Sequence, residues 1–356
     1  MRLPLVVSLV AASGVLLASL AVVSMTGQTP TAAQKSAGPK AVSSKSNGSM
    51  PRTSWGDPDL QGTWFVLYDV PLERSAANVN KAVLTDQEVA AANEAKGINP
   101  GRNMRASGAQ DVSGAYNAVF NSVLKTGKRT SMIIDPPDGK IPPLVAGTQG
   151  GGRGAFPGGG GGRGAALGLG VGGTVNDNPE TVAQSPRCLG VAMPFLPLNT
   201  LFAQGTVMEV VQSPKSTGIY MEDDHAGGGN RVIYMDGRPH APANMKFYLG
   251  DSRGHWEGNT LVIETTNYSQ GFRGSNIETY KTIERITRVD AHNLRREITF
   301  DDPKTWTRPW TVMVEMGKSD DSKHMIFDSA CHEGNYGMTG ILAGSRREEQ
   351  EAGGKK

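Results

Sequence analysis

The sequence has few of the residues that mark nucleic-acid-binding proteins and structural zinc sites. Of its 356 residues only two are cysteines, and 36 basic residues against 34 acidic ones leave a net charge of +2. A charge this small gives no basic stripe, so no nucleic-acid partner is expected. Two widely spaced cysteines are too few for a structural zinc site.

Catalytic motifs are equally sparse. The six histidines show no His-x-His or His-Glu-x-x-His spacing, so neither a metal site nor a cofactor is predicted. A serine nucleophile is not supported either. The Gly250-Asp251-Ser252 block lies in a hairpin-rich stretch rather than before a helix.

The first 24 residues carry the strongest single signal. Arg2 precedes an almost unbroken apolar run without charge over residues 3–23, and small residues follow. This pattern predicts a secretory signal peptide or an uncleaved N-terminal anchor. Either one exports the rest of the chain, so a periplasmic or secreted location is expected, with membrane contact only through this segment. No cysteine stands directly after the run, which excludes a lipid-modified anchor.

The remaining chain is expected to contain one folded domain. Residues 25–52 are rich in small and polar residues and have almost no large apolar ones, which predicts a flexible linker. A single β-rich domain is predicted over residues 53–344, with a Gly-rich insertion at 147–173. A charged, frayed tail is predicted at 345–356.

The two cysteines, Cys188 and Cys331, are separated by 143 positions. In an exported chain two cysteines usually pair, so a disulfide is predicted between them. Two separate buried thiols remain the alternative.

Alternating apolar and polar residues predict a series of short strands. The segments are 62–68, 130–134, 207–212, 217–222, 231–235, 246–249, 254–256, 260–265, 280–288, 294–300, 310–315 and 324–328. Helices are predicted only at 85–96, where Thr85 and Glu88 fit a capping box, and at 113–124. This pattern favours a mainly β fold, an antiparallel barrel or a sandwich with a small helical insertion. No long βαβ spacing occurs, so a parallel sheet is not expected.

Two turns are predicted from their residues. Residues 289–293 connect the segments 280–288 and 294–300 into an antiparallel hairpin. Asp236-Gly237 follows the segment 231–235 and is a hairpin signal of the kind that supplies positive φ.

Residues 249–263, LGDSRGHWEGNTLVI, resemble the signature of a family of secreted bacterial proteins of uncharacterised activity. Flanking pieces are similar to the same family: WGDPDLQG at 55–62, DGRPH at 236–240, TRVD at 287–290, DP at 302–303 with Trp310, and CHEGN at 331–335. The resemblance covers most of the chain from Trp55 to Gly344. The resemblance implies an exported protein but does not imply any particular activity.

The start of the first strand, Gly62-Thr63-Trp64, is similar to the start of lipocalin-like barrels. In those barrels the tryptophan closes the floor, so this resemblance implies a barrel with Trp64 at its base. The helical segments between 85 and 124 depart from the simple up-and-down pattern of such barrels.

Polar side chains concentrate near predicted strand ends, which would form one rim if those ends meet. The catalytic candidates are His240, Asp251, His332 and Glu333, because a histidine beside a carboxylate can act as a general acid or base. The ligand-binding candidates are Arg238, Arg253, His255 and Glu257, since a guanidinium can hold an anionic group through two N–H donors.

The same residues have simpler interpretations. A metal site would need convergence of ligands from His225, His240, His255, His332 and Glu333, and their spacing predicts none. The arginines and carboxylates of the predicted hairpins can also pair across strands as ordinary sheet-surface groups.

Three functions follow from this pattern. The favoured hypothesis is an exported barrel-like protein that binds a small apolar or sugar-like molecule. The second is a periplasmic acid–base enzyme, a lyase, isomerase or hydrolase that uses a His/carboxylate rim. The third is a structural or interaction protein without a pocket.

Overall fold

The computed structural model describes residues 50–98, 124–148, 179, 187–188, 196, 207–222, 229–269, 271–272, 275–320, 326 and 331–353. Several predicted features lie outside these residues. They are the signal segment at 1–24, nearly all of the linker at 25–52, most of the helix at 113–124, most of the Gly-rich insertion, His225, and all but one residue of the strand at 324–328.

Ten strands, two α-helices and a short 3-10 helix (Ala76–Asn78) account for the regular structure of the described residues. The strands are β1 (Gly62–Val66), β2 (Ile133–Asp135), β3 (Val207–Ser213), β4 (Ser216–Glu222), β5 (Gly229–Tyr234), β6 (Asp251–Glu257), β7 (Thr260–Thr266), β8 (Lys281–Arg288), β9 (Asn293–Asp301) and β10 (Trp310–Lys318). The helices are α1 (Asp86–Ile98) and α2 (Tyr336–Gly353).

Nine of these strands form a closed barrel. Their order is β1-β3-β4-β5-β6-β7-β8-β9-β10, and β10 pairs back onto β1 with Trp64 opposite Lys318. The short β2 pairs with the first half of β10 and extends the wall there. The prediction of a mainly β barrel with a small helical component is confirmed, and the sandwich alternative is wrong.

One strand pair departs from the antiparallel prediction. Strands β5 and β6 are parallel, with Tyr234 opposite Arg253. A parallel pair needs a crossover instead of a tight turn, and residues 235–250 supply it. Asp236-Gly237 therefore opens this crossover, and the hairpin predicted there is wrong, although Gly237 does have a φ of 74°. The hairpin predicted through 289–293 is confirmed by the β8–β9 pairing.

The barrel interior is filled by side chains that alternate along each strand. On β8, for example, Thr282, Glu284, Ile286 and Arg288 are buried while the residues between them are partly exposed. Apolar inward side chains such as Ile233, Ile263 and Ile298 are fully buried. The described strands therefore enclose a packed core.

Trp64 lies inside one end of the barrel. Its side chain is fully buried and its indole Nε1 donates a hydrogen bond of 2.9 Å to the carbonyl of Leu60. The guanidinium of Arg288 lies 5.5 Å from the ring centre and donates hydrogen bonds to the backbone carbonyls of Asp59, Asp290 and Ala291. These contacts close that end of the barrel with one aromatic ring and one cation.

An aromatic cluster lies at the opposite end. Phe300 and Trp310 stack with ring centres 4.1 Å apart, and Phe272 contacts both rings. Trp306 meets Trp310 edge-on at 5.5 Å. The rings join the ends of β9 and β10 to the loops that follow β7 and β9.

Neither helix is part of the barrel wall: α1 lies between β1 and β2 in the chain, and α2 follows β10. The capping box of α1 is confirmed, since Glu88 N donates to Thr85 Oγ1 at 3.2 Å and Thr85 N donates to Glu88 Oε2 at 2.8 Å. Helix α2 includes residues 345–353, which lie within the predicted charged tail. Ion pairs one turn apart, such as Arg347 with Glu351, support this helix. Within the described part of the chain, neither helix combines the length and apolar character that a bilayer span requires.

The predicted disulfide between Cys188 and Cys331 is confirmed. It joins the segment at 187–188 to the turn that precedes α2. A structural disulfide indicates that the protein matures in an oxidising environment outside the cytoplasm.

Candidate functional site

Most of the predicted site residues lie on the outer wall of the barrel. Strand β6 alternates, so that Ser252 and Gly254 face inward while Asp251, Arg253, His255 and Glu257 face outward. The crossover at 235–250 runs over this wall and brings Arg238 and His240 to it. The structure therefore places these side chains on one surface, and this surface is a wall of the barrel and not its rim.

Three of these side chains, His240, Asp251 and Arg253, form an outer cluster with Glu264 of β7. His240 Nδ1 lies 3.0 Å from Asp251 Oδ2, and its Nε2 lies 3.3 Å from Glu264 Oε1. Arg253 Nη1 donates to Asp251 Oδ1 at 2.6 Å. The imidazole is thus held between two carboxylates while about a quarter of its side chain stays exposed.

Asp251 is the centre of this arrangement. Its partial burial would raise the pKa of the carboxyl, but hydrogen bonds from Ala241 N, Arg253 and His240 outweigh burial and lower that pKa. Asp251 therefore stays ionised and orients His240, as the acidic partner of a general base does. The outer cluster could exchange a proton through Nε2 of the imidazole.

The other ligand-binding candidates pair with neighbouring side chains. Arg238 makes a two-pronged ion pair with Asp236 and lies 4.1 Å over the ring of Tyr234. Its carbonyl accepts a hydrogen bond from Arg253 Nε at 3.1 Å. His255 contacts Glu257, which pairs with Arg285 at 2.7 Å on the exposed wall. These contacts are of the kind expected of a sheet surface.

His332 and Glu333 lie elsewhere, in the exposed turn at 331–334 between the disulfide and α2. Among the described residues, neither side chain makes a hydrogen bond or ion pair with the outer cluster. The structure therefore brings His240, Asp251 and Arg253 together and does not join His332 and Glu333 to them by direct contact. The roles predicted for all these residues remain predictions.

Ser252 occupies the centre of residues 250–254, GDSRG, which have the spacing of a nucleophile elbow. The serine lies within β6, faces the barrel interior and is 2 % exposed. Its hydroxyl hydrogen bonds to Thr265 Oγ1 at 2.9 Å. An elbow needs an exposed serine at a strand-to-helix turn, so this stretch is not one.

A second group of polar side chains, which the sequence analysis missed, lies inside the barrel. This interior cluster comprises Arg231 on β5, Glu284 on β8 and Arg296 on β9, all at most 3 % exposed. Glu284 Oε1 accepts a hydrogen bond from Arg231 Nη1. Its other oxygen, Oε2, accepts from Arg296 Nε at 2.9 Å and Nη2 at 2.6 Å. One carboxylate is therefore shared by two guanidinium groups.

Hydroxyl groups surround the interior cluster. Arg231 Nη1 lies 3.4 Å from Thr265 Oγ1, and Tyr268 OH lies 2.7 Å from Thr282 Oγ1. All three hydroxyl-bearing residues are fully buried. The barrel thus contains a charged and hydroxyl-lined region within an otherwise apolar core.

The charges of the interior cluster maintain one another. Burial would raise the pKa of Glu284, but the charges and hydrogen bonds of Arg231 and Arg296 outweigh it and lower that pKa from 4.5 to about 2. Burial raises the pKa of Tyr268 to about 12, so that phenol is neutral. Glu284 is therefore charged, and the two guanidinium groups face this carboxylate while the phenol carries no charge.

Two N–H groups of Arg231 have no acceptor in the described part of the chain. Its Nε and Nη2 are buried, and no described residue accepts a hydrogen bond from either atom. Glu284 and Arg296, in contrast, face each other directly. A buried guanidinium with two N–H groups left over is unusual, because unpaired buried donors cost free energy.

The interior cluster has a weak signal in the sequence. Glu284 and Arg296 occupy inward positions of strands whose neighbouring inward residues are Thr, Ile, Leu or Phe. A charged residue in register with apolar ones marks either a functional position or an irregular strand. Their partnership with Arg231 is not readable, since it depends on which strands face each other across the barrel.

A small pocket lies beside β10. It is lined by Tyr68, Val70, Arg129, Met132, Met313, Val314 and Glu315, and its volume of about 10 Å³ has room for about one water molecule. It is too small to serve as the site of an organic ligand. Within the described residues, no three His, Cys, Asp or Glu side chains are grouped so that they could hold a metal ion.

Comparison with known proteins assigns no family to this arrangement. No protein-family model matches the chain, and no curated protein sequence matches it significantly.

Proposed function

We propose that the protein is an exported barrel that binds a small molecule, and that the interior cluster is its recognition element. The apolar run at residues 3–23 supports export, as does the disulfide, which requires an oxidising compartment. The polar lining favours a ligand with polar groups, such as a sugar-like molecule, over a purely apolar one.

The single observation that carries this proposal is the charged, hydroxyl-lined region inside a closed barrel. Removing charges from water is costly, and replacing a buried Arg–Glu–Arg set by apolar residues is often neutral or stabilising. Stability alone therefore gives little reason to bury Arg231, Glu284 and Arg296. Polar groups enclosed by apolar walls are the usual composition of a small-molecule site.

Flexible side chains next to the interior cluster can make room for a ligand in the packed interior. Ile219 lies opposite Arg231, and Met221 is the next inward residue on the same strand. Met208 lies opposite Met221 on β3. Methionine side chains repack easily because they are unbranched, so we expect binding to displace these two and to be slow.

Thermal unfolding in the presence of a library of small neutral and charged molecules tests this proposal. A ligand that binds only the folded protein stabilises it by about 2.7 kcal/mol at 100 times its Kd. We expect at least one saturable, concentration-dependent rise in melting temperature. The R308Q variant, which changes only an exposed ion pair with Asp135, should retain it. A library without any saturable stabilisation would favour the third hypothesis, a structural or interaction protein.

An acid–base enzyme remains the second candidate, because the outer cluster holds His240 between two carboxylates. If it is catalytic, H240Q should abolish turnover of a responsive substrate while H292Q, which alters an exposed histidine in the turn between β8 and β9, should not. Equal turnover by both variants and the parent protein would remove this candidate.

A further inference from the structure

We infer that the interior cluster is an oxyanion site, in which Nε and Nη2 of Arg231 bind a carboxylate or similar group of the ligand. This inference rests on the proposed function, since it assigns the ligand's chemistry at the same site. It is carried by the charge balance of the cluster and by the geometry of Arg231.

Among the described residues, the interior cluster carries one positive charge in excess. Two guanidinium groups face one carboxylate, and the nearby phenol of Tyr268 is neutral. An isolated charge in an apolar interior is among the most costly features of a fold. A negatively charged group on the ligand would remove this imbalance.

The excess charge belongs to Arg231 in particular. Arg296 donates both Nε and Nη2 to Glu284 Oε2, which already pairs that carboxylate with one guanidinium. Arg231 reaches the other oxygen, Oε1, through Nη1 only. Glu284 therefore binds Arg231 through Nη1 alone. The Nε and Nη2 groups of Arg231 can donate to another acceptor.

The two remaining donors have the geometry that an oxyanion needs. Nε and Nη2 lie on the same edge of the planar guanidinium, and their N–H groups run nearly parallel. This edge binds the two oxygens of a carboxylate, or two oxygens of a phosphate, through a pair of charge-assisted hydrogen bonds. Neither atom donates to a described residue, and both are buried.

The position of Arg231 shows where the ligand would lie. Its neighbours on the inner wall are Ile219 and Met221 of β4 and Ile233 of its own strand. An oxyanion bound to Arg231 would thus have its remaining atoms against aliphatic and methionine side chains. We expect a small acid with a short aliphatic or sugar-like body.

Matched acid and neutral compounds test the inference. The pairs are hexanoate with hexanamide and glucuronate with glucose, each titrated at low ionic strength into the wild-type protein and into R231M, R231K and R308M. R231M removes the donors but leaves Glu284 paired with Arg296, so it should fold. R231K provides a second cationic variant, and R308M controls for the loss of any arginine.

We expect at least one acid to bind the wild-type protein and R308M at least about tenfold more tightly than its neutral partner. R231M should lose this preference, and R231K should retain only part of it. Phosphate, added as a separate arm, distinguishes a general oxyanion site from a carboxylate site according to whether it competes with the bound acid.

The opposing outcomes are separable. If neutral compounds bind as tightly as their acids, or if R231M keeps the preference, the oxyanion site is wrong while small-molecule binding stands. If neither acids nor neutral compounds bind the wild-type protein, and the wider library also fails, the proposed function itself is wrong.

Discussion

Arg296 donates two hydrogen bonds to one oxygen of Glu284, at 2.9 and 2.6 Å, in the interior of the barrel. This pair alone balances the carboxylate. Arg231, which reaches the other oxygen, is therefore the surplus cation of the interior cluster. The distinction between a balanced pair and a surplus cation gives the following predictions on stability.

The three members of the interior cluster should respond differently to substitution. E284Q leaves two buried guanidinium groups without their counter-charge, so we expect it to lower the free energy of unfolding by about 3–5 kcal/mol. R231M leaves the Glu284–Arg296 pair intact and should be neutral or stabilising. Urea denaturation measures both, and a loss from R231M as large as that from E284Q would contradict this division of roles.

Glu284 should also make stability depend on pH. Its pKa is about 2 in the folded protein and near 4.5 when unfolded, so its contribution is fully present above about pH 4.5. It is lost as pH falls from there toward 2, because the unfolded chain then binds the extra proton. The difference between the two pKa values corresponds to about 3 kcal/mol. In denaturation at pH 6, 4 and 3, the wild-type protein should therefore lose more stability than E284Q, in which only the other carboxyl groups, such as Asp251, contribute.

Gly254 is required by packing inside the barrel. A Cβ at this position would lie 2.7 Å from Ile233 Cγ2 and 2.5 Å from Met235 Sδ. We expect G254A to lower the free energy of unfolding by about 1–3 kcal/mol through overpacking. In the control G218A, the new Cβ meets its nearest atom at 3.8 Å, an ordinary contact. Equal effects of the two substitutions would show that the interior has more free space than described.

The disulfide should stabilise the fold through the length of the chain it closes. Cys188 and Cys331 are 143 positions apart, and closing such a loop is worth about 4–5 kcal/mol in the chain-entropy model. The double variant C188S/C331S removes the link without leaving a free thiol. We expect its urea midpoint to fall and to become insensitive to reducing agent, whereas the midpoint of the wild-type protein should fall when the agent is added. Identical midpoints for all samples would exclude this role.

Local patterns in the sequence were sufficient to predict much of the sheet. Period-two alternation identified β8 and β9, and the polar segment 289–293 identified their turn, because all of these signals lie within a few residues. The start of the first strand was also predicted, since β1 begins at Gly62 as expected. The capping box of α1 was similarly local.

The errors arise where partners are distant in the chain. Asp236-Gly237 has the chemistry of a hairpin turn, but β5 pairs with β6 in parallel, which depends on contacts across the barrel. The sequence analysis named His240, Asp251 and Arg253, which lie within 13 positions of one another, but it did not name Glu264. In the interior cluster, Glu284 and Arg296 are 12 positions apart on the β8–β9 hairpin, but Arg231 on β5 is 53 positions from Glu284, so no local signal joins it to them.

A crystal structure of the wild-type protein with saturating glucuronate, compared with the same soak of R231M, tests the central claim most directly. The account predicts density for the carboxylate within about 3.2 Å of both Nε and Nη2 of Arg231, displaced Met208 and Met221 side chains, and no such density in R231M. Glucuronate bound elsewhere, with Arg231 and its surroundings unchanged, would contradict it.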